Sequence, residues 1–174
     1  MALANVRFGP FWIVGYGNPL RRDDGIGLYV GSQLEHLFGD TPDIRIRHLH
    51  QLDPVLLEDL KDAQGVVFVD ATVEQLTGGW KWMRLQPQTN EWPRLSHVFQ
   101  PQMLLELIHH CSGRHPSAWL ITIQGEDFSF GEDLSPAAKR RADRVIQNIA
   151  IFARLYSIVK QGAANTERYN SQTA

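Results

Sequence analysis

A three-layer α/β/α domain with a mostly parallel, twisted sheet is the fold class this sequence predicts. Three observations predict it. Short β-like runs alternate with helical stretches in the order β-α-β-α-β-β-α-β-α, which lets helices cover both faces of one sheet. The stretch "GVVFVDAT", 65–72, opens as a continuous apolar run, as a central strand buried on both faces must. The 174 residues suit one domain with a sizeable core, and a 43% hydrophobic, 21% charged composition is ordinary for a globular chain.

The elements follow from period and punctuation. "FWIVGYG" is a compact strand, ended by glycine and the Asn18-Pro19 turn. Ile26, Val30, Leu34, Leu37 and Phe38 form a helical stripe in the segment that follows. "DIRIRHLH" alternates like a half-exposed strand, and Asp53 before Pro54 predicts the start of the next helix. After "GVVFVDAT", "GWKWMRLQ" alternates again, which puts Trp80 and Trp82 on one face of a strand, packing or lining a groove. "NEWPRLSH" reads as a loop. "QPQMLLELIHHCSG" is helical with Gly113 as its stop, and "AWLITIQG" is another strand. Ser135 and Pro136 open a long final helix, and a domain spanning 1–160 is expected to end in a mobile tail, 161–174. No internal repeat or linker divides the chain.

Composition excludes several functions. The net charge of -2 gives no case for nucleic acid, and Lys139-Arg140-Arg141 reads as a solvated helix face. Cys111 is the sole cysteine, so an internal disulfide framework and cysteine-built metal centres are excluded. The N-terminus lacks a secretion pattern, and no apolar run is long enough to span a bilayer. A cytoplasmic protein is expected.

Sites in such sheets gather where loops leave the carboxyl ends of strands. Asn18 to Asp24 follows one such end and Asp70 closes another. Gly15 and Gly17 begin a dinucleotide fingerprint, but Leu20 stands where its third glycine is due and Pro19 removes an amide donor. What remains is a set of oxygen and nitrogen donors, Asp23, Asp24, Asp70 and His97, suited together to a hard or borderline divalent metal. Blander roles stand beside this one: Asp70 capping a turn, Asp24 capping the helix near Ile26, His97 as an ordinary loop residue. His109, His110, Cys111 and His115 are read as a helix end with surface histidines, because adjacent helical residues cannot meet one ion.

"GYGNPLRRDDGIG", "VVFVDAT", Ser96-His97 and "IQGEDFSFGEDLSP" resemble, in order, the landmarks of the nickel–iron hydrogenase maturation endopeptidases. The similarity runs from the first strand into the last helix. "HQLDP", 50–54, is similar to the version found in enzymes serving bidirectional, NAD-linked hydrogenases. The resemblance implies an α/β/α peptidase that removes the C-terminal extension of a hydrogenase large-subunit precursor once nickel has been inserted. It implies Asp24, Asp70 and His97 as ligands that sense nickel within the substrate, with nickel not permanently bound. Either the metal acts as Lewis acid, or Asp24 or Asp70 acts as general base. His50 and Gln51 are expected to contact the substrate and set its specificity. A monomer is expected, with neither nucleic acid nor membrane as partner. A nickel metallochaperone and a non-catalytic metal or nucleotide sensor are the alternatives on the same scaffold.

Overall fold

The computed structural model describes the backbone of residues 9–87 and 99–172, with side chains along the last helix to 159 except 157. Five strands, β1 (Phe11–Tyr16), β2 (Ile44–Leu49), β3 (Gly65–Thr72), β4 (Trp80–Leu85) and β5 (Ser117–Gln124), form one sheet in the order β2-β1-β3-β5-β4. All pairings are parallel except β4 with β5, which is antiparallel. Helices α1 (Ile26–Phe38), α2 (Leu56–Leu60), α3 (Pro101–Ser112) and α4 (Pro136–Gln172) cover it. This is the predicted α/β class. No helix among the described residues is long and apolar enough to cross a membrane.

β3 lies at the centre because its sequence can tolerate no water. Val66, Val67, Phe68 and Val69 are each fully buried, worth roughly 1.5–3 kcal/mol per side chain. Alternation splits them between two cores. Val67 and Val69 join Phe11, Ile13 and Ile121 beneath α1 and α4. Val66 and Phe68 join Trp12 and Val14 beneath α2 and α3.

α1 buries Ile26, Val30, Leu34 and Phe38, whereas Leu37 of the expected stripe is 52% exposed. Its first turn sits directly on the strand ends. A Cβ on Gly27 would lie 2.3 Å from the Tyr16 carbonyl oxygen and 2.5 Å from that of Val69. Only glycine permits that approach, which sets the turn before α1 against the ends of β1 and β3. Gly15 and Gly17 likewise bring the chain's own backbones together, since a Cβ would lie 2.0 Å from the Gly27 carbonyl oxygen and 1.8 Å from that of Asp24 respectively.

Two boundaries differ from expectation. Asp53 accepts the Val55 amide at 2.8 Å in a local turn, and α2 begins only at Leu56. The segment expected as a tail continues α4 as helix to Gln172. Gly113 stops α3 as predicted, with φ of 69°.

Candidate active site

The order β2-β1-β3 reverses direction between β1 and β3, and at that switch point the chain places its carboxylates. Asp70 follows Val66 and Phe68 in the alternation of β3, on the side of the sheet occupied by Tyr16. Its Oδ1 accepts the Ala71 amide at 2.8 Å, and the Tyr16 hydroxyl donates to the carboxylate. Burial pushes the Asp70 pKa up, the two hydrogen bonds oppose that rise, and the Asp24 charge adds to it, leaving a value of about 6. Burial likewise raises the Tyr16 pKa, with the Asp70 charge and their hydrogen bond adding to it, so the phenol keeps its proton.

Asp24 is held by the turn that precedes it. Its Oδ2 accepts the Asn18 amide at 3.1 Å, and the Asn18 side chain in turn accepts the Leu20 amide at 3.0 Å. Asp24 therefore does not cap α1, whose N-cap is Gly25 without a side-chain bond. The Asn18 amide, the kind of donor a phosphate would need, is already taken. Among the described residues Asp24 Oδ1 accepts no hydrogen bond.

Asp23, next in line as a candidate, is fully buried and points elsewhere. Its Oδ2 accepts the Glu126 and Asp127 amides at 2.7 and 3.0 Å and the Ser135 hydroxyl at 2.8 Å. Its Oδ1 accepts the Ser135 amide at 2.6 Å. Burial opposes its charge, but those bonds outweigh it and hold the pKa below the usual carboxylate range. Ser135 Oγ also accepts the Ala138 amide at 3.2 Å, so one buried anion fastens the 126–127 loop and the start of α4 together. Four donors already claim the Asp23 oxygens, and the residue is fully buried away from any open metal site.

Arg21 and Arg22 contact the same loop while remaining at the surface. Arg21 donates to the Phe128 carbonyl from Nε and Nη2, each at 3.2 Å, and Arg22 pairs with Asp127 at 3.4 Å. Arg22 holds a φ of 44°, and its amide N–H donates a hydrogen bond to the Gly131 carbonyl at 2.9 Å.

His97 lies outside the described residues, as does Ser96. Among the described residues no three histidine, cysteine, aspartate or glutamate side chains gather as a metal site. His50 and Gln51 are exposed just past β2, at the same end of the sheet as Asp24 and Asp70. His109 and His110 are exposed on α3 with ring centroids 6.4 Å apart, and Cys111 is exposed. Trp82 meets Phe152 of α4 edge-on at 5.3 Å, and with Trp80 it lines an apolar groove of about 330 Å³. Sequence reasoning missed Tyr16, although its place two residues after Val14 on β1 puts it on the Asp70 face.

No family model matches the chain, and no curated protein matches it. Solved structures do. A NiFe hydrogenase maturation protease, HycI of Thermococcus kodakarensis, matches with 25% identity and a TM-score of 0.66, over 86% of this chain and 95% of its own. The hydrogenase maturating endopeptidase HybD of Escherichia coli matches with 20% identity and a TM-score of 0.62, over 83% and 92%. HybD of Thermococcus kodakarensis, another NiFe hydrogenase maturation protease, matches with 17% identity and a TM-score of 0.58, over 83% and 99%. The chain is built on the fold of the hydrogenase maturation proteases.

Proposed function

We propose that this protein is an endopeptidase that removes the C-terminal extension of a nickel–iron hydrogenase large-subunit precursor after nickel insertion. The observation that carries the proposal is the coupled pair Asp24–Asp70 at the switch point of a fold shared with enzymes of that activity. Two partly buried carboxylates within electrostatic reach of one another repel. A divalent cation between them would remove both that repulsion and the burial cost of Asp70. Asp24, Asp70 and His97 are the residues to hold it, and two oxygens with an imidazole suit nickel.

The nickel belongs to the substrate. A checkpoint enzyme must release its metal-loaded product, and carboxylates with one imidazole grip less firmly than thiolates do. Bound there, nickel would withdraw electrons from a neighbouring carbonyl. The chain's own part is to position and to move a proton. When a water oxygen adds to the scissile carbonyl carbon and the C–N bond breaks, the water's proton must reach the departing amine. Asp24, with Oδ1 unpartnered among the described residues, is suited to hold that proton in transit, and Asp70 is the other carboxylate in reach.

His50 and Gln51 stand on the rim of this site, where specificity is readily varied, and we assign them contact with the precursor. Replacing 50–54 with the Asp-Gly-Gly-type segment of other members should change which precursor is processed. The finer assignments are a precursor of the bidirectional, NAD-linked type, a cytoplasmic setting and a monomeric enzyme.

The deciding experiment incubates purified protein with nickel-loaded and nickel-free precursor and follows the large-subunit mass. Loss of the extension from the loaded form alone is expected. Transfer or retention of nickel without any cleavage would instead identify a metallochaperone.

A further inference from the structure

Beyond the two carboxylates, the carboxyl edge of the sheet continues as a trench toward α4. We infer that an arginine-lined pocket at its far end binds a carboxylate of the peptide substrate. The inference rests on the peptidase function proposed above and adds a specificity subsite to it.

The trench consists of two joined hollows. The first, about 450 Å³, is bounded by Val73, Gly125, Phe128 and Arg141. It abuts the turn before α1, because a Cβ on Gly125 would lie 2.8 Å from the Asp23 Cβ. The second, about 470 Å³, is lined by Gly78, Gly79, Arg140, Arg141 and Arg144, and it shares Gln75, Gln124 and Arg141 with the first. Its walls are fixed. The buried Gln124 side chain accepts the Leu76 amide at 3.0 Å and donates to Gln75 at 2.9 Å, pinning the β3–β4 connection over β5.

The charge of this pocket is unbalanced. Arg141 is engaged, donating to the Gln124 carbonyl and to Glu126 Oε1, each at 2.9 Å. The Arg140 and Arg144 guanidinium groups have no hydrogen bond or ion pair among the described residues. They stand four residues apart on one helix face, an arrangement that like charges disfavour. Three arginines against one glutamate leave two uncompensated positive charges, in a chain whose net charge is -2. Arg140 and Arg144 are exposed, as expected of a solvated helix face, and together they line this hollow. Guanidinium pairs of this kind are suited to carboxylate.

The pocket lies at the same end of the sheet as Asp24 and Asp70, beyond β5 on the side that α4 covers, whereas Asp70 faces the side of α2 and α3. The carboxylate is either an acidic side chain or the C-terminus of the extension; the chemistry is shared.

The test measures binding by fluorescence anisotropy at low ionic strength, which needs no cleavage. The probes are a fluorescein-labelled Ala-Ala-Glu-Ala-Glu-Ala amide, its glutamine counterpart as the amide, and that counterpart with a free C-terminus. Each is titrated with the full chain and with the doubly substituted Arg140→Gln, Arg144→Gln variant. A carboxylate-bearing probe should bind the unsubstituted chain about ten-fold more tightly than the neutral amide, and the variant should lose that preference. The side-chain and terminal sources are told apart by which probe shows it. Equal binding of all three probes, or a preference that survives in the variant, overturns the proposal. With nickel-loaded precursor the variant's loss should appear in KM. Arginine-dependent probe binding without cleavage of any precursor would sink the peptidase function and leave the pocket standing. Cleavage with KM unchanged in the variant would do the reverse.

Discussion

Asp23 and Asp70 are both carboxylates at the carboxyl end of one sheet, yet their surroundings drive them in opposite directions. Asp23 is fully buried and accepts four hydrogen bonds from residues more than a hundred positions away, which keep it ionised. Asp70 is partly buried, accepts the neighbouring Ala71 amide and the Tyr16 hydroxyl, and faces a second negative charge at Asp24. Burial costs both groups. Enough donors convert that cost into a structural fastening, whereas too few leave a group that a cation or a proton can satisfy. The lesson is that donor count, more than depth, separates a fold-holding aspartate from a reactive one.

The sharpest break in this comparison is functional. Asp24→Asn and Asp70→Asn should each lower cleavage of nickel-loaded precursor by roughly 100-fold or more while the protein stays folded, read by the large-subunit mass over time. Asp23→Asn should leave cleavage by the folded fraction nearly intact. If Asp23→Asn abolishes cleavage in folded protein and Asp24→Asn does not, the ligand assignment is off by one residue.

Stability should show the inverse order. Asp23→Ala strands buried donors on Glu126, Asp127 and Ser135 and should cost about 3–5 kcal/mol in denaturant unfolding. Asp70→Asn should change stability by less than about 1 kcal/mol, since it removes a repulsion as well as a hydrogen bond. The Asp23 contribution also has a pH signature. Its folded pKa lies below its unfolded one, so the contribution is full above about pH 4 and fades as pH falls through the folded value. The difference in stability between the parent and Asp23→Ala should therefore narrow in acid.

A smaller effect is expected at Tyr16. Its hydrogen bond holds the Asp70 pKa down, so Tyr16→Phe should raise that value further above about 6. The pH at which cleavage reaches half its plateau should move upward, by about one unit, with the plateau itself recovered at higher pH. An unmoved profile would separate Asp70 ionisation from the rate.

Gly27→Ala probes what both aspartates share. A Cβ there meets the Tyr16 and Val69 carbonyls, and overpacking of this kind costs about 1–3 kcal/mol. Thermal unfolding should detect it, and cleavage should suffer because the turn carrying Asp24 is displaced from Asp70.

Much of this molecule is determined by its sequence, read residue by residue. The uninterrupted apolar run through Val69 makes β3 central, because only a strand covered on both faces can bury every side chain. Gly113, Ser135 and Pro136 mark helix ends through backbone rules that need no distant partner. Asp24 and Asp70 were visible as carboxylates at element ends, whereas Asp53, expected as a helix cap, forms a local turn ahead of α2. Distances between remote residues were not visible. Asp23 and Asp24 are chemically identical neighbours, and what separates them is a loop and a serine over a hundred residues downstream that claim one and not the other. Tyr16 acquires its role only when β1 lies beside β3, and Arg140 and Arg144, exposed on α4, come to line a hollow only when the β3–β4 connection lies beside them. Local propensity fixes which element a residue joins; the donors and charges that surround it are decided by contacts made only when the chain has folded.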